Sequence, residues 1–234
     1  MIFLISGRPL WQGLFNPSFL ALIIFLVSVE VYPNSIPNAT RKLPTIEVMA
    51  RPQRNGQVEV GAIEYQVIIR GELRQKPGFS LRSPIVYAGR TGIADQVDGL
   101  KMHDRKGEVS LAILNDPVDA GGFPFYRHWR AERPLVTPIT ISYRMLSHSG
   151  KVTPGPQFDF YSHSSGISSG GMCLFLEPEG LGELQMKLKW DLKDLPAGSI
   201  AASTWGEGDV ELTGRFEKLV QAYYMVGPLG RYSP

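Results

Sequence analysis

Residues 139–145 read ITISYRM, and this stretch determines which class of fold the chain can adopt. Apolar and polar side chains alternate strictly along it, with isoleucine, isoleucine, tyrosine and methionine at the odd positions. Only an extended strand places every second side chain on one face, so the pattern predicts a half-buried antiparallel β-strand. Pro134 and Pro138 precede it, where a strand start or edge tolerates a missing amide donor.

The same alternation returns elsewhere, between breaks rich in Gly and Pro. It is found in residues 58–69, 109–113, 158–160 and 184–190. The breaks include Arg54-Asn55-Gly56 and Pro154-Gly155-Pro156, which are typical turn sequences. Several short strands separated by such turns predict an all-β domain, specifically an antiparallel β-sandwich.

Two segments depart from the strand pattern. Apolar residues at 216, 219, 220 and 223 follow the i, i+3, i+4, i+7 spacing of a helix, so we predict one short helix near the C-terminus. A final strand is expected to follow through residues 224–226. The run SHSSGISSGG at 162–171 has the composition of a flexible Ser/Gly loop.

The first 44 residues are expected to lie outside the folded domain. Arg8 is the only charged residue before Glu30, and residues 19–29 read FLALIIFLVSV. This apolar run fits a signal-peptide core and is shorter than the ~20 residues that span a bilayer. We therefore predict a signal peptide or uncleaved N-terminal anchor plus linker at 1–44, and the β-sandwich at 45–234. The protein is expected to be exported, either periplasmic or secreted, and to contact a membrane only through an uncleaved N-terminal segment.

Overall charge and cysteine content narrow the functional classes. The net charge is +2, from 24 basic and 22 acidic residues, so no general field favours nucleic acid as a partner. Cys173 is the only cysteine, which excludes an internal disulfide and a cysteine zinc cluster. Its apolar neighbours in the run MCLFL predict a buried, unreactive thiol.

The sequence lacks a recognisable metal site. Its four histidines are far apart and none belongs to H-E-x-x-H; they are His103, His128, His148 and His163. A helical zinc site needs two histidines one turn apart, so we predict no metal ligands and no cofactor in this chain. Several aspartates beside Gly or Pro lack the EF-hand spacing and indicate ordinary turns; they are Asp95, Asp98, Asp104, Asp116 and Asp119.

Ser168 provides one alternative with catalytic chemistry. Residues 166–170 read GISSG and match G-x-S-x-G, the nucleophile elbow of α/β-hydrolases, in which a strand-to-helix turn exposes the serine. No histidine follows Ser168 in the chain, although that fold places its histidine later in the sequence. A serine hydrolase using Ser168 therefore stays an alternative, and a solvated loop is the preferred interpretation.

The segment before the decisive strand is rich in aromatic and basic residues. The candidate binding residues there are Tyr126, Arg127, His128, Trp129 and Arg130. Stacked rings with arginines could hold a sugar, a peptide or a protein partner. Alternatively, strand alternation directs half of the rings into the core while arginines cover the other face. We prefer the structural interpretation and keep a carbohydrate- or peptide-binding module around Trp129 as an alternative.

Three segments together resemble a known family. They are the tryptophan-bearing and alternating segment at 123–145, WDLKDLPAGSIAAS at 190–203, and FEKLVQAYYMVG at 216–227. These segments are similar to the N-terminal domain of the M-sixty-one glycyl aminopeptidases, a metallopeptidase family. The resemblance covers roughly residues 63–234.

The resemblance implies a fold and a role. In that family a β-sandwich borders the active-site cleft, helps to fix the end of the peptide substrate, and precedes a helical zinc domain carrying H-E-x-x-H. This chain contains no H-E-x-x-H, so the resemblance implies a non-catalytic module without the zinc domain, and zinc is expected only in that domain. The expected partner is a peptide or protein, for example a separately encoded peptidase domain; a truncated remnant of the full enzyme is the other expectation.

Overall fold

β-strands make up most of the part of the chain that the structure describes, as the alternation predicted. The computed structural model describes residues 42–56, 59–73, 78–118, 125–148, 158–163 and 165–230. The predicted leader, the turn at 154–156, and Phe123 and Asp119 lie outside the described residues. No described helix is both long enough and apolar enough to cross a membrane.

The strands are short and separated by turns. In chain order they are β1 Thr45–Asn55, β2 Glu59–Arg70, β3 Ser80–Pro84, β4 Val86–Tyr87, β5 Arg90–Thr91, β6 Val97–Asp104, β7 Gly107–Glu108, β8 Leu111–Asn115, β9 Tyr126–Ala131, β10 Ile139–Leu146, β11 Tyr161–His163, β12 Gly166–Gly170, β13 Glu177–Pro178, β14 Leu184–Trp190, β15 Ile200–Ser203, β16 Gly206–Glu207, β17 Val210–Gly214 and β18 Tyr223–Gly227. Helix α1 spans Glu217–Val220, and 3-10 turns lie at Ile93–Gln96 and Gly171–Cys173.

Four sheets contain these strands. The largest has seven strands in the order β17-β14-β1-β2-β10-β6-β7. A second has the order β11-β12-β18-β15-β16, a third β13-β3-β9-β8, and β4 pairs with β5. Neighbours pair antiparallel except β1 and β14, which run parallel. The all-β class, the mainly antiparallel sheets and the short helix near the C-terminus confirm the predicted fold class.

Strand β10 shows why the fold follows from alternation. Its residues are alternately buried and accessible, and it lies between β2 and β6 in the large sheet. Since successive side chains of a strand point to opposite faces, the apolar set turns inward together. The predicted strands over β2 and β14 and the predicted helix α1 with β18 behind it are likewise confirmed.

Three local predictions were wrong. Residues 162–171 are not a loop, because β11 and β12 occupy much of this segment and β12 pairs on both sides. The alternation at 109–113 does not form one strand, because β7 ends at Glu108 and β8 begins at Leu111. Residues 158–160 precede β11 rather than forming a strand.

Aromatic side chains join the large sheet to its neighbours. Tyr65 of β2 stacks on Tyr143 of β10, with ring centroids 4.7 Å apart and planes at 15°. Phe175 meets Tyr65 edge-on at 5.5 Å and Tyr224 of β18 at 5.3 Å. The Tyr143 hydroxyl accepts a hydrogen bond of 3.1 Å from the buried Leu176 amide. These rings therefore form a continuous cluster between the seven-stranded and five-stranded sheets.

The two stacked tyrosines differ in a way that can be measured. Tyr143→Phe is expected to lower the free energy of unfolding by about 1 to 3 kcal/mol, because the buried Leu176 amide loses its acceptor. Tyr65→Phe is the matched control, since the buried Tyr65 hydroxyl has no hydrogen-bond partner among the described residues. Loss of the Tyr65 hydroxyl should leave the free energy of unfolding unchanged or raise it. Urea denaturation of both variants measures the difference, and equal losses would contradict it.

Candidate binding surface

The five predicted binding residues lie on β9, which is an interior strand of the four-stranded sheet. Alternation divides them between two faces. Trp129 is 6% exposed and belongs to the hydrophobic core, and it lies opposite Leu81 and Ile113 on the neighbouring strands. Tyr126, His128 and Arg130 lie on the other face. The five residues therefore do not form one surface, and the Trp129 ring is not available as a stacking platform.

We call the face that carries Tyr126, His128 and Arg130 the outer face of the four-stranded sheet. Its first feature is a paired arginine. Arg82 of β3 donates two hydrogen bonds of 2.9 Å to the Glu177 carboxylate of β13, and its guanidinium lies 4.6 Å from the Tyr126 ring centroid. A bidentate pair with a cation–π contact fixes the guanidinium plane. Arg82 therefore supports the surface and is itself already bound.

His128 lies between two carboxylates on this outer face. Its Nδ1 is 2.9 Å from Glu179 Oε2, and its Nε2 is 2.8 Å from Asp116 Oδ1. Partial burial lowers the pKa of the imidazole, but the bonds to Glu179 and Asp116 outweigh this effect, so the pKa of His128 is raised overall. Because ionised carboxylates can only accept hydrogen bonds, both ring nitrogens must donate, so the arrangement favours the doubly protonated imidazolium.

Arg130 borders a hollow in the same surface. The hollow has a volume of about 300 Å³ and is lined by Gly78, Phe79, Ser80, Arg130, Glu179, Gly180 and Leu181. A Cβ on Gly78 would lie 3.6 Å from the Arg130 Cδ, so the aliphatic part of Arg130 lies close along Gly78. Arg127, which is on the opposite face, instead binds Asp95 and Asn115. Of the four polar candidates, Arg130 is the exposed one at a concave feature.

Sequence reasoning missed the three residues that organise this surface: Arg82, Glu177 and Glu179. Arg82 and Glu177 are 95 residues apart in the chain, and neither belongs to a recognisable motif. Only the pairing of β3 with β13 and β9 brings them beside His128. No local signal in the sequence could have identified them.

Ser168 occupies a strand interior. It lies within β12, opposite Tyr161 of β11 and Met225 of β18. After β12 the chain enters the 3-10 turn Gly171–Cys173. In this described part of the chain, the strand–turn–helix geometry of a nucleophile elbow is absent at Ser168.

The remaining candidates have ordinary structural roles. Burial raises the pKa of the Cys173 thiol to about 12, as expected for an unreactive cysteine. Asp104 receives two hydrogen bonds from Arg133 and one from the Lys106 amide. Asp95 and Asp98 pair with arginines. Among the residues that the structure describes, no group of three His, Cys, Asp or Glu side chains is placed to hold a metal ion.

Comparisons with known proteins identify a fold type. No family profile and no curated protein matches the sequence. Among solved structures, an aminopeptidase N family protein from Idiomarina loihiensis matches with a TM-score of 0.54 and 12% identity, over 78% of this chain and 29% of that chain. This chain therefore spans less than a third of that protein.

Two other structures match with lower scores. Yeast leukotriene A4 hydrolase in complex with bestatin has a TM-score of 0.40 and 9% identity, over 82% of this chain and 29% of that chain. An M1 zinc metallopeptidase from Deinococcus radiodurans has a TM-score of 0.38 and 12% identity, over 83% and 43%. The fold of this chain resembles part of the aminopeptidase N family protein from Idiomarina loihiensis. The resemblance to the M-sixty-one family is a resemblance to a different peptidase family, and it stays a prediction.

The His128 bridge makes stability depend on pH. A folded-state pKa above the unfolded value of about 6.5 stabilises the fold below that pH, and the contribution is lost as pH rises through the folded-state pKa. The stability difference between wild type and His128→Gln should therefore shrink as the pH rises above about 6.5. The exposed His103→Gln is the control. Thermal unfolding across this range measures the effect, and a constant difference would refute the protonated bridge.

Proposed function

We propose that residues 45–234 form an exported, non-catalytic module that binds a protein or peptide partner beside a peptidase body. The peptidase body is either part of the same polypeptide or separately encoded, and it carries the zinc; this module needs no cofactor. The observation that carries the proposal is the fold likeness to the Idiomarina loihiensis protein, which covers 78% of this chain but 29% of that one. A fold of this type can therefore serve as one part of a larger aminopeptidase-family protein.

The geometry of the outer face favours binding over bond cleavage. A general base needs a nitrogen or oxygen free to take a proton from the substrate. Both ring nitrogens of His128 are already engaged by carboxylates, and the Glu177 carboxylate is occupied by Arg82. Groups held in this way make a fixed polar surface, which is suited to recognition.

Arg130 and the adjoining hollow are the proposed contact point. The Arg130 side chain is exposed, and the described residues offer it no hydrogen bond or ion pair of the kind that occupies Arg82 and Arg127. A guanidinium pairs best with a planar carboxylate. The partner segment is therefore proposed to present an acidic side chain or a terminal carboxylate to Arg130.

The absence of peptidase activity can be tested directly. The purified full chain, supplied with zinc, is expected to release no amino acid from glycyl, alanyl and leucyl fluorogenic amides, because the proposal places the zinc ligands in another domain. An M1 aminopeptidase serves as the positive control. Release of product that a metal chelator abolishes would overturn the non-catalytic assignment.

The role of Arg130 can be tested with a peptide array of acidic, neutral and basic heptapeptides. The full chain is expected to retain acidic peptides preferentially, and Arg130→Ala should weaken this binding roughly two- to fivefold, as for an exposed ion pair. Arg105→Ala removes the same charge from an exposed turn and should leave binding unchanged. Equal effects of the two substitutions would indicate general electrostatic attraction and contradict the site.

A further inference from the structure

Strand β8 is an edge strand without the usual protection of an edge. It pairs with β9, and the described residues provide no strand on its other side. Its sequence, LAILN, contains no charge and no proline. Natural edge strands are normally blunted by charges, prolines or bulges, because an open apolar edge pairs with other chains. An edge of this kind is suited to receiving another strand.

The hydrogen-bonding groups of β8 that point outward can be assigned. The Asp116 amide donates to the Tyr126 carbonyl at 2.9 Å, and the Glu132 amide donates to the Ser110 carbonyl at 3.1 Å. In an antiparallel ladder, residues that bond to the partner strand alternate with residues that face away. The even-numbered residues of this stretch therefore bond to β9. Leu111, Ile113 and Asn115 direct their amides and carbonyls to the open edge.

A groove of about 510 Å³ lies beside this edge. Its lining comes from β6, β8, β9 and the residues before β8. It includes the apolar side chains of Leu100, Met102, Val109, Leu111, Ile113 and Trp129 together with the charged Lys101 and Glu108. Ile113 shares a face with the buried Trp129, yet it is 63% exposed. An inward-facing isoleucine is thus left uncovered at the rim of the core.

The far wall of the groove is β6. The Val109 amide still donates to the Met102 carbonyl at 2.9 Å, but beyond this point β8 continues with β9 instead of β6. Gly99, at φ +62, lies where the pairing of β6 with β10 shifts register. Strands β6 and β8 therefore move apart beyond the bond between Val109 and Met102. The wall formed by β6 faces the open edge of β8 across the groove, so the edge of a second copy would bring its own β9 against β6.

We propose that this groove binds one extended peptide segment of a partner, antiparallel to β8, with aliphatic side chains at alternate positions. The backbone of the segment pairs with Leu111, Ile113 and Asn115. In antiparallel pairing, directly opposed residues share a face, so its aliphatic side chains enter the groove beside Leu111 and Ile113. This is strand addition to a sheet edge. The groove lies on the opposite face of β9 from Arg130, so it is separate from the outer-face site.

The test uses the full chain and a fluorescein-labelled peptide, Thr-Val-Thr-Ile-Thr-Val, followed by fluorescence polarisation. We expect saturable binding to the wild type and at least about tenfold weaker binding to Ile113→Lys, which places a charge where an aliphatic side chain of the peptide would pack. Met225→Lys makes the same change at an exposed apolar position on another sheet and should bind normally. Ile113→Thr keeps the β-branched shape and should also weaken binding, which guards against misfolding of the lysine variant.

Two methylated peptides test the direction of pairing. Methyl groups on the valine and isoleucine amides should abolish binding, because these amides face β8 in the antiparallel arrangement. Methyl groups on the threonine amides should leave most of the binding intact, because these amides face away from β8. No binding by the wild type, equal binding to Ile113→Lys, or equal loss with both methylated peptides would overturn the proposal. A concentration-dependent dimer that Ile113→Lys abolishes would also overturn it, by assigning the edge to a second copy.

Discussion

The stack of Tyr65 on Tyr143 is the contact on which the arrangement of the sheets depends. These residues face each other directly in the register of β2 with β10, and a slip of β10 by one residue would turn the Tyr143 ring to the other face of the sheet, away from Tyr65. Phe175 and Tyr224 extend the cluster to the five-stranded sheet. Aromatic pairs of this geometry contribute about 0.5 to 1.5 kcal/mol beyond the area they bury. The cluster therefore fixes both a register and the packing of two sheets.

That fixed framework explains why the outer face of the four-stranded sheet can be polar and still hold its side chains in fixed positions. Trp129 secures β9 from the core side, while the pairs from Arg82 and His128 connect β13, β3, β9 and the end of β8 on the other side. Each charged group satisfies another, so little rearrangement is needed when a ligand arrives. Arg130 remains as the exposed cation beside the hollow.

The sequence was informative where burial follows a simple period. Strand β10 and helix α1 each show one apolar face, and both could be located from it. The helical pattern nevertheless ran to Tyr223, which lies in β18, whereas α1 ends at Val220. The Ser/Gly segment was misinterpreted because its glycines serve close packing: a Cβ on Gly171 would collide with the Leu219 carbonyl, and one on Gly227 would lie 2.6 Å from the Gly166 Cα. The candidate surface was only half predictable, since alternation separates Trp129 from His128 but does not reveal Glu177 or Glu179.

The parallel pairing of β1 with β14 has a consequence for how the chain is made. Thr45 lies opposite Gln185, so β1 lies in the interior of the sheet, and its neighbour β14 is synthesised much later than β1. Contacts so distant along the chain slow folding, because a long loop must close before they form. Until then one side of β1 is an unprotected edge, and an unpaired edge exposes an incomplete chain to aggregation.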